Sequence, residues 1–192
     1  MYGKMKKRII FTSGLTSPQF VLKFWQEELK DHYPDHEIIV LGKFYTYWSK
    51  KKIQELTDTV RDLIEDERET ILMGYSYGGI ISGAAMNTAK QHNVVRIVTI
   101  ASPNNMLYLG MKKRMERIGY KVLDDPSIQK ITFGSYIDPI VPFGYTHLPG
   151  EVHYDLWLDH FLFFWFSRKT MRKIFGFIDQ ATFPEDSVAQ ND

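Results

Sequence analysis

The chain contains no cysteine among its 192 residues. That single absence excludes a disulfide framework, a thiolate zinc site and a cysteine nucleophile. Charge of one sign is also missing: 24 Lys and Arg face 23 Asp and Glu, a formal net charge of +1. No net field therefore recruits nucleic acid. The longest unbroken apolar run, Phe161 to Phe166, falls far short of the roughly 20 residues that span a bilayer. Lys4, Lys6, Lys7 and Arg8 look like the basic start of a signal peptide. The apolar residues behind them, Ile9, Ile10 and Phe11, stop at Thr12-Ser13-Gly14, too soon for a hydrophobic signal core. A cytoplasmic protein is the expectation. No histidine cluster shows metal-ligand spacing and no glycine-rich phosphate loop is present, so neither metal nor cofactor is expected.

What remains is an ordinary globular composition, 44% hydrophobic, 15% aromatic and 24% charged. A chain of this length buries roughly 70% of its unfolded surface and needs no covalent staple. Arg8 to Thr12 reads as a short buried strand. Ser17 is placed to cap a helix with Pro18 at its first position, and Phe20, Val21, Phe24, Trp25 and Leu29 recur along it at helical spacing as its buried face. Pro34 ends that helix. Glu37 to Leu41 is the second strand. Ile53, Leu56, Val60, Leu63 and Ile64 mark an amphipathic helix behind it. Thr70 to Gly74 is the third strand, followed by a small-residue helix from Tyr77 to Gln91. Val94 to Ala101, Ile128 to Ser135 and Glu151 to Leu158 read as strands four to six, and Phe164, Met171, Ile174, Phe175 and Ile178 as the stripe of a last helix.

Strands alternating with helices require crossover connections, hence an α/β fold with a doubly wound, mostly parallel six-stranded sheet and helices on both faces. The near-continuous apolar runs of strands two to four suit strands covered on both sides. Neither repeat nor linker interrupts residues 1–184, which read as one domain; residues 185–192 form a polar tail that frays.

The informative motif is Gly74-Tyr75-Ser76-Tyr77-Gly78-Gly79, between strand three and its helix. Gly-x-Ser-x-Gly suits a nucleophile on a strained strand-to-helix turn, where side chains two positions either side would collide. The helix behind it offers N–H groups and a positive dipole end to a nascent oxyanion. The bare pattern is also that of a plain glycine-rich turn. The apolar strand before it and the Gly/Ala-rich helix after it are what the nucleophile reading requires.

From these residues the chain resembles the α/β-hydrolase family, in particular its small, single-domain bacterial lipases and esterases without a cap. The resemblance runs from Arg8 to about Ile178. It implies a triad in the chain order Ser, acid, His, met here by Ser76, Asp138 and His160. Asp138 lies in Gly134-Ser-Tyr-Ile-Asp138-Pro-Ile-Val-Pro142, similar to the family's acid-bearing turn; His160 opens the last helix, where the family places its base. Thr99-Ile-Ala-Ser-Pro103 is similar to the lipase segment at the end of strand four. The loop after strand one reads Ser13-Gly14-Leu15 where the family commonly has His-Gly-x. The implied oxyanion donors are the Leu15 and Tyr77 N–H groups. In a strand order 2-1-3-4-5-6 the loop at Ser13 and the turn at Ser76 face each other across the switch point.

Other histidines and acids compete. His147 follows Asp138 and is the alternative base. Seven residues before His160, His153 would lie roughly 23 Å from the carboxyl edge of an extended strand six. His32, His36 and His92 read as surface residues near helix ends. Asp159 is adjacent to His160 and points the other way if that segment is extended, and Asp155 is a third candidate.

The resemblance thus implies an esterase or lipase-like serine hydrolase acting on a small-molecule acyl ester. A thioesterase or acyltransferase would use the same groups, and a non-catalytic interaction module is the alternative from another class. Phe161 to Lys173, aromatic and then basic, suits a weak membrane-surface contact. Met106 to Ile118 reads as a surface helix. Only 27 residues separate Ala101 from Ile128, enough for the crossover helix and no lid. That predicts an open site for short or medium acyl chains.

Overall fold

A computed structural model describes residues 7–14, 17–42, 50–105, 113, 115–157 and 168–181. The elements are β1 (Lys7–Thr12), α1 (Gln19–His32), β2 (His36–Leu41), α2 (Lys50–Ile64), β3 (Thr70–Tyr75), α3 (Tyr77–Thr88), β4 (Val94–Ile100), β5 (Gln129–Gly134), β6 (Glu151–Asp155) and α4 (Arg168–Gln180). A 3-10 turn over Phe143–Tyr145 lies between β5 and β6. The six strands form one sheet in the order β2-β1-β3-β4-β5-β6, and every neighbouring pair is parallel. This is the fold class and order expected from the strand and helix pattern.

Side chains alternate across each strand, which makes two cores. On one face Ile9, Phe11, Met73, Val98, Ile100, Ile131 and Phe133 pack with α1 and α4. Trp25 of α1 stacks on Phe11 with ring centroids 4.4 Å apart. Met171, Ile174, Phe175 and Ile178 of α4 are buried there, the stripe expected at those positions. On the other face Ile10, Leu72 and Ile97 meet α2 and α3. Each such side chain contributes roughly 1.5–3 kcal/mol by leaving water. α3 is buried almost all round, because its glycines and alanines let it lie close on the sheet.

Arg8 is a buried charge at the amino edge of the sheet. The Arg8 side chain is fully buried and donates to the Leu63 carbonyl and to Asp66, with Glu37 at 3.3 Å. Burial would raise the Asp66 carboxyl, but bonds from Arg68 and Arg8 outweigh it and hold the group at about 2.

Besides one-residue shifts at the ends of β1 to β5, three boundaries differ from the sequence reading. The first helix starts at Gln19 with Pro18 at its cap, and Ser17 Oγ donates backwards to the Gly14 carbonyl at 3.3 Å instead of capping. α3 ends at Thr88, short of Gln91. β6 ends at Asp155, short of Leu158, and the Leu156 N–H makes the last bond of the parallel ladder, to the Gly134 carbonyl at 2.8 Å. Residues 185–192, Phe161–Ser167 and most of Met106–Ile118 lie outside the described residues. Among the described residues no helix is long and apolar enough to cross a membrane.

Candidate active site

β3 delivers Ser76 to the carboxyl edge of the sheet on a strained turn. Ser76 has φ 51° and ψ −126°, a backbone region that costs a side-chain-bearing residue about 1–3 kcal/mol. The surroundings hold it there: its N–H donates to the Ile100 carbonyl at 2.8 Å, and its carbonyl accepts from Gly79 N–H at 3.1 Å. The glycines of the motif are required sterically. A Cβ on Gly74 would meet the Gly79 backbone at 2.4 Å, and one on Gly78 would meet the Thr12 carbonyl oxygen at 2.0 Å. A second strained residue follows the neighbouring strand: Ala101 has φ 46° and donates to the Phe133 carbonyl at 2.8 Å.

The loop after β1 lies against this turn. A Cβ on Gly14 would come within 3.1 Å of Ser76 Cβ and 3.3 Å of the Tyr75 ring. Leu15, the expected first oxyanion donor, lies outside the described residues. Tyr77, the second, is buried and opens α3, so its N–H is among the first-turn donors that no helical carbonyl can satisfy.

β5 delivers Asp138, four residues past its end, into a buried turn. Its Oδ1 accepts from the Ile140 and Val141 N–H groups at 2.8 Å each, fixing the carboxylate by one oxygen. Ser76 and Asp138 thus leave the same edge of the sheet, from β3 and β5. His160 and Asp159 lie outside the described residues.

The remaining candidates have other partners. His147 Nδ1 is 2.5 Å from Glu151 Oε1. His32 Nε2 is 2.7 Å from Asp179 on α4. Asp155 faces His153 Nε2 at 3.2 Å and accepts from the Tyr136 hydroxyl at 3.4 Å. The distance argument against His153 fails, since β6 ends at Asp155 and His153 is only two residues from the strand's end, roughly 7 Å. Its Nδ1 faces Thr132 and Glu151.

Those neighbours form a group that sequence reading missed. Donor atoms of His147, Glu151 and His153 lie within 4.8 Å of one another, although no histidine cluster was expected to have metal-ligand spacing. Burial would raise the Glu151 carboxyl, but His153, Thr132, the Leu148 N–H and His147 together hold it below the usual carboxylate range. His-x-x-x-Glu-x-His was the available signal.

A cavity of about 440 Å³ is lined by Lys50, Lys51, Ile53, Gln54, Tyr77, Arg117 and Ile118. Along the carboxyl edge, Tyr136, Ile137, Ile140 and Trp157 are exposed, Trp157 by 73%, and so is Phe20, which was expected on the buried face of α1 but precedes the residues that pack, Val21, Trp25 and Leu29. Among the described residues only Val122 is a large exposed hydrophobic elsewhere.

No family model matches the chain. Over 102 residues it is 24% identical to the lysosomal thioesterase PPT2 homolog of Drosophila melanogaster, a match spanning 50% of this chain and 35% of that protein. The chain thus covers about a third of that relative's length. Among solved structures it is similar to the ydeN gene product of B. subtilis, at TM-score 0.65 and 12% identity, covering 91% of this chain and all of that one. The mature lipase BlEst2 of Bacillus licheniformis superimposes at TM-score 0.61 and 15% identity over 92% of this chain and 93% of its own. An esterase domain from Rhodothermus marinus does so at 0.56 and 15%, over 84% and 81%. With the parallel six-stranded order and the Ser76 turn, these likenesses establish that the chain has the α/β-hydrolase fold.

Proposed function

We propose that the chain is a serine hydrolase that cleaves carboxylic esters or thioesters through an acyl-enzyme. The observation that carries this reading is the strained backbone of Ser76, held by glycines that admit no Cβ. A serine placed only for structure has no need of such a conformation, whereas a nucleophile is lifted clear of the sheet by it.

In this reading Ser76 Oγ attacks the acyl carbonyl while His160 takes its proton, and the imidazolium then protonates the leaving group. Asp138 orients the imidazole and stabilises its charge. Its bonds from Ile140 and Val141 hold the carboxylate in place for that role. The Tyr77 N–H, with Leu15, stabilises the tetrahedral oxyanion. Water then attacks the acyl-enzyme, with His160 acting again as base. The exposed apolar residues along the edge favour an apolar acyl group, and the cavity beside Tyr77 falls in the size range of small-molecule sites. The partial match to a protein named as a thioesterase keeps thioesters beside oxygen esters.

Hydrolysis of nitrophenyl esters and acyl thioesters of graded chain length tests the proposal. Loss of the nucleophile costs about 10⁶ in turnover in a serine protease and loss of the orienting carboxylate about 10⁴. Ser76→Ala and Asp138→Asn should fall by such factors while Asp155→Asn stays within tenfold of the parent. Activity that survives Ser76→Ala, or is absent from the parent on both substrate classes, contradicts it; the second outcome favours a non-catalytic binding module.

A further inference from the structure

We propose that His147, Glu151 and His153 form a binding site for one divalent transition-metal ion of the zinc type, fastening the loop that carries Asp138 to strand β6. Three observations carry this. First, two imidazoles converge on one carboxylate oxygen. His147 Nδ1 lies 2.5 Å and His153 Nδ1 3.4 Å from Glu151 Oε1. Around a tetrahedral zinc with bonds of about 2.0–2.1 Å, donor atoms stand roughly 3.4 Å apart. One of the two separations already has that value. The other reaches it by a small rotation of His147, whose side chain is partly exposed.

Second, the outer contacts are those of a ligand set. Glu151 Oε2 accepts from the Leu148 N–H at 2.7 Å and from the Thr132 hydroxyl at 2.5 Å. Those two bonds orient the carboxylate and turn Oε1 toward the imidazoles. On the far side of its ring, His153 Nε2 is buried and makes no hydrogen bond, yet lies 3.2 Å from Asp155 Oδ1. His153 Nδ1 also lies 2.5 Å from the Thr132 hydroxyl oxygen, and a neutral His153 protonated there would aim a bare lone pair at that carboxylate. With a cation on Nδ1, the proton resides on Nε2 and points at Asp155. Metal-bound histidines are held by a carboxylate in this way.

Third, the site is walled. The two rings lie 4.0 Å apart, and Phe143 meets both edge-on at 5.1 and 5.3 Å. Two nitrogens and one carboxylate oxygen select Zn²⁺ or Co²⁺ over Mg²⁺ and Ca²⁺, which prefer all-oxygen sites; a water completes the four ligands. Because His147 belongs to the segment between β5 and β6 and the other two ligands to β6, the ion closes that segment upon the sheet. The proposal does not depend on the chemistry of Ser76.

Titration calorimetry of the EDTA-treated protein with ZnCl₂ tests it. One ion per chain with Kd below about 1 μM is expected, with a rise in Tm of roughly 5–10 °C at a hundredfold excess over Kd. Co²⁺ should bind with the visible absorption of a four-coordinate ion, and Mg²⁺ should have no effect. His147→Gln changes a partly exposed side chain, so the apo Tm should stay within a few degrees while Zn²⁺ affinity falls at least thirtyfold. Glu151→Gln should weaken the ion similarly. The proposal is overturned if the parent binds no tighter than about 10 μM, if His147→Gln binds as the parent does, or if His32→Ala abolishes binding instead.

Discussion

Gly78→Ala probes the packing that creates the Ser76 turn. The added methyl would come to 2.0 Å from the Thr12 carbonyl oxygen, 2.7 Å from the Thr12 carbonyl carbon and 2.9 Å from the Ser13 oxygen. All three are main-chain atoms, at the junction where β1 passes into the loop at Gly14, so no rotamer change relieves the overlap. Either α3 retreats from the sheet or the β1 loop moves away from Ser76. Overpacking of this kind costs typically 1–3 kcal/mol, and rigid opposing backbone puts the cost at about 3. For a domain of this size that lowers Tm by roughly 6–12 °C. Gly176→Ala is the matched control: it lies inside α4 and a Cβ there meets nothing within 4 Å. That change should raise stability by about 0.5–1 kcal/mol through helix propensity. Differential scanning calorimetry of both variants reads the result. A Gly78→Ala protein melting within 2 °C of the parent would refute the argument that this glycine is sterically required.

Two further outcomes follow from the geometry. Gly14→Ala places a methyl 3.1 Å from Ser76 Cβ, a crowding of a few tenths of an ångström; stability should change by less than about 1 kcal/mol while turnover falls at least tenfold, since misplacement by 1 Å costs about 10², and a variant of unchanged turnover counts against the placement of that loop. Asp66→Asn should lower Tm by a few degrees at pH 7, an ion pair of a partly exposed carboxylate being worth about 1 kcal/mol. Because the Asp66 carboxyl is held down to about 2, its contribution is complete above its unfolded value near 4 and is lost as the pH falls through 2. The parent and the variant should therefore melt together at the acid end, and a gap that persists there points to packing instead of charge.

The sheet was legible because its central strands are short apolar runs and its helices carry 3.6-residue stripes. Ile53, Val60 and Ile64 on α2 and Met171, Ile174 and Ile178 on α4 are buried as their spacing implies. The Ser76 turn was legible for a different reason, since steric exclusion forces glycine into the sequence at fixed offsets. The end of β6 was not, because Leu156 and Trp157 continue the apolar pattern past Asp155, the strand's last residue. Nor was the failure of Ser17 to cap α1, since its hydroxyl donates backwards to the Gly14 carbonyl and Pro18 takes the cap position. The His147, Glu151 and His153 group escaped notice because its convergence is not a helical spacing. Residues 151 and 153 share a face through the two-residue period of a strand, and the Pro149-Gly150 turn, with Gly150 at φ 65°, folds His147 back on them.

The central claim is that Ser76 is the nucleophile. Labelling with a fluorophosphonate probe, digestion and mass mapping test it most directly. The account predicts a single phosphonylated site at Ser76, labelling that fails after heat denaturation, and none in Ser76→Ala. A folded parent chain that takes no label, or label carried by another residue, would contradict it.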